Sequence, residues 1–599
     1  MLLAAGSLQS AQAQATVAGV TSGALSVDET GSAGYTIPIA VPPGIAGMQP
    51  SLALVYQSHG GNGTAGVGWG LSASSSIHRC SQTLAQDGAI HGVDFSADDR
   101  FCLDGQRLVA ISGAYGANGT EYRTEIDSFA RIVSHGTAGT GPLSFTVETK
   151  SGRTLEYGNT ADARLGVAAA SEIRLWSLNK VSDTLGNAMT YHYVEGAADS
   201  SYRLDRIEYT SNAGQSVLPQ SEVRFVYEAR PDVRTSYLAG AKLAMTKRLA
   251  AVETWSGSGT GLALVKRYSL TYETSPATSR SRLTAITECD ANSNCLQPVN
   301  LGWLGEVPDF DTTVIASDTV TNLWGLSRND WAANTRELHM LDYNGDGLSD
   351  ILLQGVDENR FNYLLTHSGP APDLLTSITD SLGRTSTLDY APLTDATVYA
   401  KDSDAVFPVV DIQAPLYVVK SVSSDDGVGG QKVTSYSYAG AKVHVQGRGF
   451  RGFRQMTATD QQTGIVTTTD YSQVFPTTAQ VLTSVKTLTD GTTIKTIANT
   501  WDQLSLNTGK TVWPYVASST SKDYEPNDGV GNLPVVSRTA TAVFDVYGDP
   551  TNLTTTTTGG GETFTETTVN SYQNIATPTR WLPGLVTRSE VTRSRPGGP

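Results

Sequence analysis

The sequence predicts an all-β protein, and three observations carry that expectation. Charged residues make up only 17% of the 599 positions and hydrophobic residues 39%, with 59 glycines, 25 tyrosines and abundant Thr and Ser. That is the composition of many half-buried strands joined by tight turns. Short runs also alternate between apolar and polar residues: in Ser51–Ser58, Leu52, Leu54 and Tyr56 share one face, and Tyr35–Val41 precedes the turn-forming Pro42 and Pro43. Finally, a unit of strand, Asp-x-x-Gly turn and Thr/Tyr-rich strand recurs at irregular spacing. Long helices are not expected, and the length calls for more than one core or for sheets merged into one long wall.

The first fifteen residues, MLLAAGSLQSAQAQA, hold a short apolar segment followed by overlapping A-x-A sites at Ala11/Ala13 and Ala13/Ala15. They read as the end of a secretory signal without its basic start, with a small-residue, unstructured terminus as the alternative. From Thr16 to Glu306 one strand-rich module is expected. Ser144–Gly158 forms a hairpin around Ser151-Gly152, and Leu175–Val194 a second one around Asp183–Asn187. The recurring unit returns at Ser377–Tyr390 and Val543–Thr557. Ser421–Gln431 reads as a flexible loop and Thr551–Glu562 as low-complexity sequence bracketed by strands. The final SRPGGP cannot form an element, so the chain is expected to be a fragment or one partner of a larger object with an unpaired sheet edge.

The net charge of −16, from 42 basic and 58 acidic residues, argues against a nucleic-acid surface. No run of about 18 apolar residues encodes a membrane span. The four cysteines form two local pairs, Cys80 with Cys102 and Cys289 with Cys295; an even count in an exported chain favours disulfides, and of three pairings local closure favours this one. His78, Cys80, His91 and Cys102 could supply zinc with nitrogen and sulfur, but their spacing matches no compact finger.

The strongest chemical signal is Asp342–Asp350, DYNGDGLSD. Asp342, Asn344, Asp346 and Asp350, with the Leu348 carbonyl, supply the hard oxygen donors that calcium prefers, and Gly347 permits the sharp turn. An EF-hand needs Glu at the twelfth position, where this chain has Leu353, and the flanks read as strands. The loop resembles the FG-GAP, integrin-type propeller loop. A whole propeller takes about four to eight blades, and one loop is visible.

Catalytic patterns are absent: there is no H-E-x-x-H, G-x-S-x-G or phosphate-binding G-x-x-x-x-G-K-[ST]. Gly61–Gly66, GNGTAG, fits G-x-G-x-x-G, yet the residues after it read as turn and strand where a dinucleotide site needs a helix. Asp98/Asp99 and Asp425/Asp426 could in principle flank a glycosidic bond, but adjacent carboxylates on turns read as solvated surface.

The passage Gly31–Arg79, followed in order by Asp99–Val109, Gly119–Ile132, Phe407–Ser421 and Gly440–Phe453, resembles the SpvB family and the B component of Tc insecticidal toxin complexes. The first three resemble the SpvB-like wall, the last two the middle of the Tc B component. The resemblance implies an SpvB-like β-domain over 16–306, a calcium-loop segment over 307–370, a Tc-middle-like region over 371–500, and the start of an RHS (YD-repeat) shell over 501–599. It implies a structural role for the glycine-rich passage before Trp69, and a non-enzymatic shell that encloses an unfolded toxic polypeptide. The partners it implies are a toxin-bearing RHS-core polypeptide and a pore-forming translocation component. The expected location is outside the bacterium or at its surface, with assembly in the cytoplasm before release as a second route. SpvB-like proteins can also carry an ADP-ribosyltransferase with an E-x-E element; Arg588–Thr592, RSEVT, lacks the second glutamate. The competing expectations are a calcium-dependent adhesion module and a carrier region for such a transferase.

Overall fold

A computed structural model describes residues 18–166, 172–196, 201–258, 261–305, 309–316, 335–355, 362–369, 371–526 and 533–596. The expected signal segment lies outside these residues. Nearly every described element is a strand; the one α-helix among them is the single turn Leu84–Asp87. No helix among the described residues is long and apolar enough to cross a membrane.

The chain opens with a four-stranded antiparallel sheet of Ala24–Val27, Ala33–Ile39, Leu52–Gln57 and Trp69–Leu71. Period-two alternation buries Tyr35, Ile37 and Ile39 with Leu52, Leu54 and Tyr56 on one face. Trp69 packs on Tyr56 at 5.6 Å and on Tyr35 at 6.4 Å between ring centroids.

Eight strands then close a ring: Ser76–Cys80, Arg100–Leu103, Gln106–Ser112, Glu121–Thr124, Arg131–His135, Ser144–Glu148, Thr154–Tyr157 and Ile173–Ser182. The last of these is the switch. Its first half returns to the first strand, pairing Leu175 with His78 and Trp176 with Ile77, while its second half pairs with Thr154–Tyr157 and Asn187–Gly196. Side chains fill the interior, as in small closed barrels. Phe101, Phe145 and Trp176 meet edge to face with centroids 5.2–5.6 Å apart, and all three are buried.

From that switch strand a meandering antiparallel strip runs in chain order to Arg580–Ser594. It passes without a break from Val299–Trp303 to Leu375–Thr379. The residues between form a separate four-stranded sheet, Asp309–Ala316, Asn362–Ser368, Asp350–Gly355 and Thr335–Leu341 in spatial order.

The recurring turn has one construction. Asp183, Asp380 and Asp545 each accept, through a single carboxylate oxygen, the amides two and four residues on, at 2.8–3.0 Å. Gly186, Gly383 and Gly548 then take φ of +86°, +83° and +69°, which a side chain resists. Burial pushes the Asp183 and Asp380 carboxyls up, but the amide and side-chain hydrogen bonds outweigh it and hold both below the ordinary range. Their contribution to stability is therefore present above the unfolded carboxylate value of about 4 and is lost as pH falls through the depressed one.

Two readings need correction. Ser421–Gln431 is no flexible loop, because Tyr417–Asp425 and Gln431–Ala439 are paired strands. Only residues 426–430 turn, around Asp426, which accepts the Val428 and Gly430 amides at 2.8 and 2.9 Å. The threonine run inside Thr551–Glu562 is itself strand, Pro550–Gly559, paired on both sides; β-branched residues suit a pleated surface whatever their variety.

Candidate functional site

The acidic loop joins Thr335–Leu341 to Asp350–Gly355, with Leu341 opposite Asp350. Asp350 is fully buried, and its two oxygens accept the amides of Tyr343 at 2.7 Å and His367 at 2.8 Å. Asp342 accepts from the Gly347 amide at 3.0 Å, Asn344 from Asp346 at 3.0 Å, and Asp346 from Leu348 at 2.8 Å. Gly345 and Gly347 have φ of +75° and +82°. The loop leans on the strip: the Tyr417 hydroxyl donates to the Asp346 carbonyl at 2.6 Å, and the Thr394 hydroxyl to that of Gly345. The donors are all oxygen, as calcium requires, and a carboxylate oxygen holding one amide keeps a second lone pair. In this arrangement, however, the Asp342, Asp346 and Asp350 carboxylates do not converge, so a bound cation would have to draw the loop tighter. Among the described residues, the convergent triple of metal-capable groups is His91, Asp94 and Asp99.

That triple is committed elsewhere. Asp99, read from sequence as a solvated turn acid, is buried because Arg79 reaches it at 3.0 Å, and it also accepts the amides of Asp94 and Phe95. Cys80 and Cys102 are joined at 2.10 Å between sulfurs, clamping the first two ring strands, and Cys289 and Cys295 at 2.01 Å across a hairpin. The sulfurs of the His78, Cys80, His91 and Cys102 set are thereby used. Asp426 organises its hairpin turn, and Asp425 accepts the amide of Thr385 on the neighbouring strand at 3.0 Å. Gly61–Gly66 enters a two-strand hairpin followed by the strand Trp69–Leu71, and a Cβ on Gly66 would lie 2.6 Å from the Ser281 carbonyl oxygen. Close backbone approach is its use.

The arrangement that sequence reading missed is a seam where the far half of the strip returns to the ring. Ile126 bridges Val512: the Asp127 amide donates to the Val512 carbonyl at 2.9 Å, and the Val512 amide to that of Glu125 at 3.0 Å. The buried Asp127 carboxylate accepts from the Phe129 amide at 2.8 Å and from Asn507 and Thr511 side chains at 2.9 Å each. Lys150 pairs with Asp549 at 2.7 Å, Arg448 with Glu125 at 2.8 Å, and the Trp581 indole donates to the Phe129 carbonyl at 2.9 Å. These partners lie hundreds of residues apart, and no local pattern marks them.

The strip loses its apolar filling towards its far end. Beyond Met456, Leu506 and Pro583 are the buried apolar side chains among the described residues. Threonine pairs knit this wall across neighbouring strands, as at Thr520 and Thr539 (3.1 Å) and Thr554 and Thr567 (3.3 Å). The last strand, Arg580–Ser594, pairs with Glu562–Thr577 on one side, and its other edge has no strand partner among the described residues.

Residues 27–225 match the family of the Salmonella virulence plasmid 65kDa B protein, and residues 328–479 that of the insecticide toxin TcdB middle/N-terminal region. No curated protein matches the sequence. Among solved structures, the crystal structure of TcdB2-TccC3 aligns with 99% of this chain and 48% of its own at a TM-score of 0.72 and 12% identity. The same complex without its hypervariable C-terminal region gives 0.73, 99%, 47% and 12%, and the Photorhabdus luminescens Tc holotoxin pore with a mutated TccC3 gives 0.71, 99%, 46% and 12%. The chain thus spans about half the length of the structures it matches, and at that identity the likeness is one of fold. Two family regions in chain order on this shared all-β architecture identify the chain as one of the SpvB/TcdB type, joining an SpvB region to the middle/N-terminal region of a Tc toxin B component.

Proposed function

We propose that this chain is a non-catalytic wall segment of a Tc-type toxin shell, enclosing a toxic polypeptide supplied by an RHS-core partner and acting with a pore-forming component. One observation supports this above the others: a strip that leaves the ring, curls back to it at the Asp127 seam, and beyond Met456 buries almost no apolar side chains. The strands beyond Met456 bury too little apolar surface to act as an ordinary core, but they suit a surface with contents on one side and solvent on the other. The open edge at Arg580–Ser594 suits continuation of the wall by a partner's strand. Secretion, with cytoplasmic assembly before release as the other route, follows from the same reading.

Co-expression with a toxin-bearing RHS polypeptide tests it. The two chains are expected to co-purify, with hydrogen exchange slowed at residues 585–594. Chains that remain separate, with this one binding cell-surface glycan on its own in calcium, would support the adhesion reading in its place.

As part of the same proposal, Asp342, Asn344, Asp346, Asp350 and the Leu348 carbonyl hold calcium, which fixes the inserted sheet against the strip through Tyr417 and Thr394. Asp346→Asn keeps an oxygen for the Leu348 amide and removes the charge. Calcium is expected to raise the Tm of the parent protein and not that of the variant, with the two equal in chelator. A calcium-induced rise of the same size in both would remove the assignment.

A further inference from the structure

A cavity of about 370 Å³ opens where the strands Arg164–Gly166, Ile173–Ser182 and Ser201–Asn212 meet the extended hairpin of Ser221–Leu238 and Ala241–Ser258. Four cations line it, Arg174, Arg203, Arg234 and Lys247, and among the described residues no carboxylate does. In a chain with net charge −16 these four bases gather without their usual partners. None of them is ion-paired among the described residues, and the carboxylates nearest them in sequence are engaged elsewhere. Glu172 binds Arg79 at 2.9 Å, Asp205 binds Arg206 at 3.1 Å, Asp232 binds Arg230 at 3.0 Å and Glu253 pairs with Arg267.

Arg174 is the most telling of the four. Its Nε is shielded from water and meets no acceptor, and burial pushes its pKa down. A shielded guanidinium donor without a partner is unfavourable unless an acceptor arrives. Arg203 is held over the Tyr227 ring, 5.4 Å from its centroid, and donates to the Ser201 hydroxyl at 3.2 Å, so its fork is positioned before any ligand binds. Tyr202 and Tyr227 offer flat apolar walls beside these charges.

We propose that this cavity binds a small phosphorylated molecule carrying at least two phosphate groups. Three guanidiniums and one ammonium match several negative charges spread over planar or tetrahedral oxygens, which arginine engages two at a time. A single carboxylate would leave most of that charge unanswered. The volume is that of a small-molecule pocket. The proposal stands apart from the shell reading, since it needs neither the RHS partner nor calcium.

Isothermal titration of the full chain with sodium pyrophosphate at fixed ionic strength tests it, with ATP as the organic arm. One site is expected, weakened at least tenfold by Arg174→Gln and by Arg203→Gln and left unchanged by Arg580→Gln on the last strand. Displacement of pyrophosphate by ATP identifies an organic phosphate as the ligand; binding of pyrophosphate alone identifies the inorganic ion. Should Arg174→Gln fail to fold, Arg203→Gln decides. Equal heats in the parent and both cavity variants would overturn the site. So would sulfate binding as tightly as pyrophosphate, or a poly-glutamate peptide binding where pyrophosphate does not.

Discussion

Trp176→Ala lowers stability by about 3–5 kcal/mol, the cost of emptying a large aromatic site in a close-packed core. Trp176 is fully buried, donates its indole N–H to the Pro142 carbonyl at 3.1 Å, and stands edge-on to Phe101 and Phe145. It also lies in the strand that closes the ring, opposite Ile77. The loss therefore reaches both the interior and the closing pairs, and the surrounding strands cannot collapse inward without breaking register. Thermal and denaturant unfolding followed by near-ultraviolet circular dichroism will register it. A change below about 1 kcal/mol would mean that the ring interior is not the packed core described.

Asp127→Ala has the second large effect, and a local one. The substitution strands the Phe129 amide and the Asn507 and Thr511 side chains, three donors that the carboxylate holds at 2.8–2.9 Å. Removing a buried acceptor from such a group is expected to cost on the order of 3 kcal/mol. Because the seam joins segments some 380 residues apart, the damage falls on closure. Hydrogen exchange should quicken at the Val512 and Asp127 amides, which bond across the seam, while the ring amide of Ile132 keeps its protection. Uniform quickening through the ring would mean that seam and ring unfold as one unit.

What the sequence made legible was the local chemistry. Leu52, Leu54 and Tyr56 alternate in the primary structure and share a buried face in the fold. Asp183, Asp380 and Asp545 announce their turns because the carboxylate, the two amides it binds and the left-handed glycine lie within five residues. Long-range partners were illegible for the converse reason. Nothing near Asp99 shows that Arg79 will bury it, and nothing near Ile126 names Val512. The oxygen donors of the acidic loop could be read from their spacing; their engagement by the amides of Tyr343 and His367 depends on the fold around them. The four cations of the cavity come from separate strands and share no motif.

The claim that this wall closes around a client is tested most directly by protease protection. A complex of this chain with a toxin-bearing RHS polypeptide is treated with protease, and the toxin segment is followed by mass. The account predicts that the segment survives protease levels that destroy it when free, and that Asp127→Ala shortens its survival. Digestion at the rate of the free segment in a complex that remains assembled would contradict enclosure by this chain.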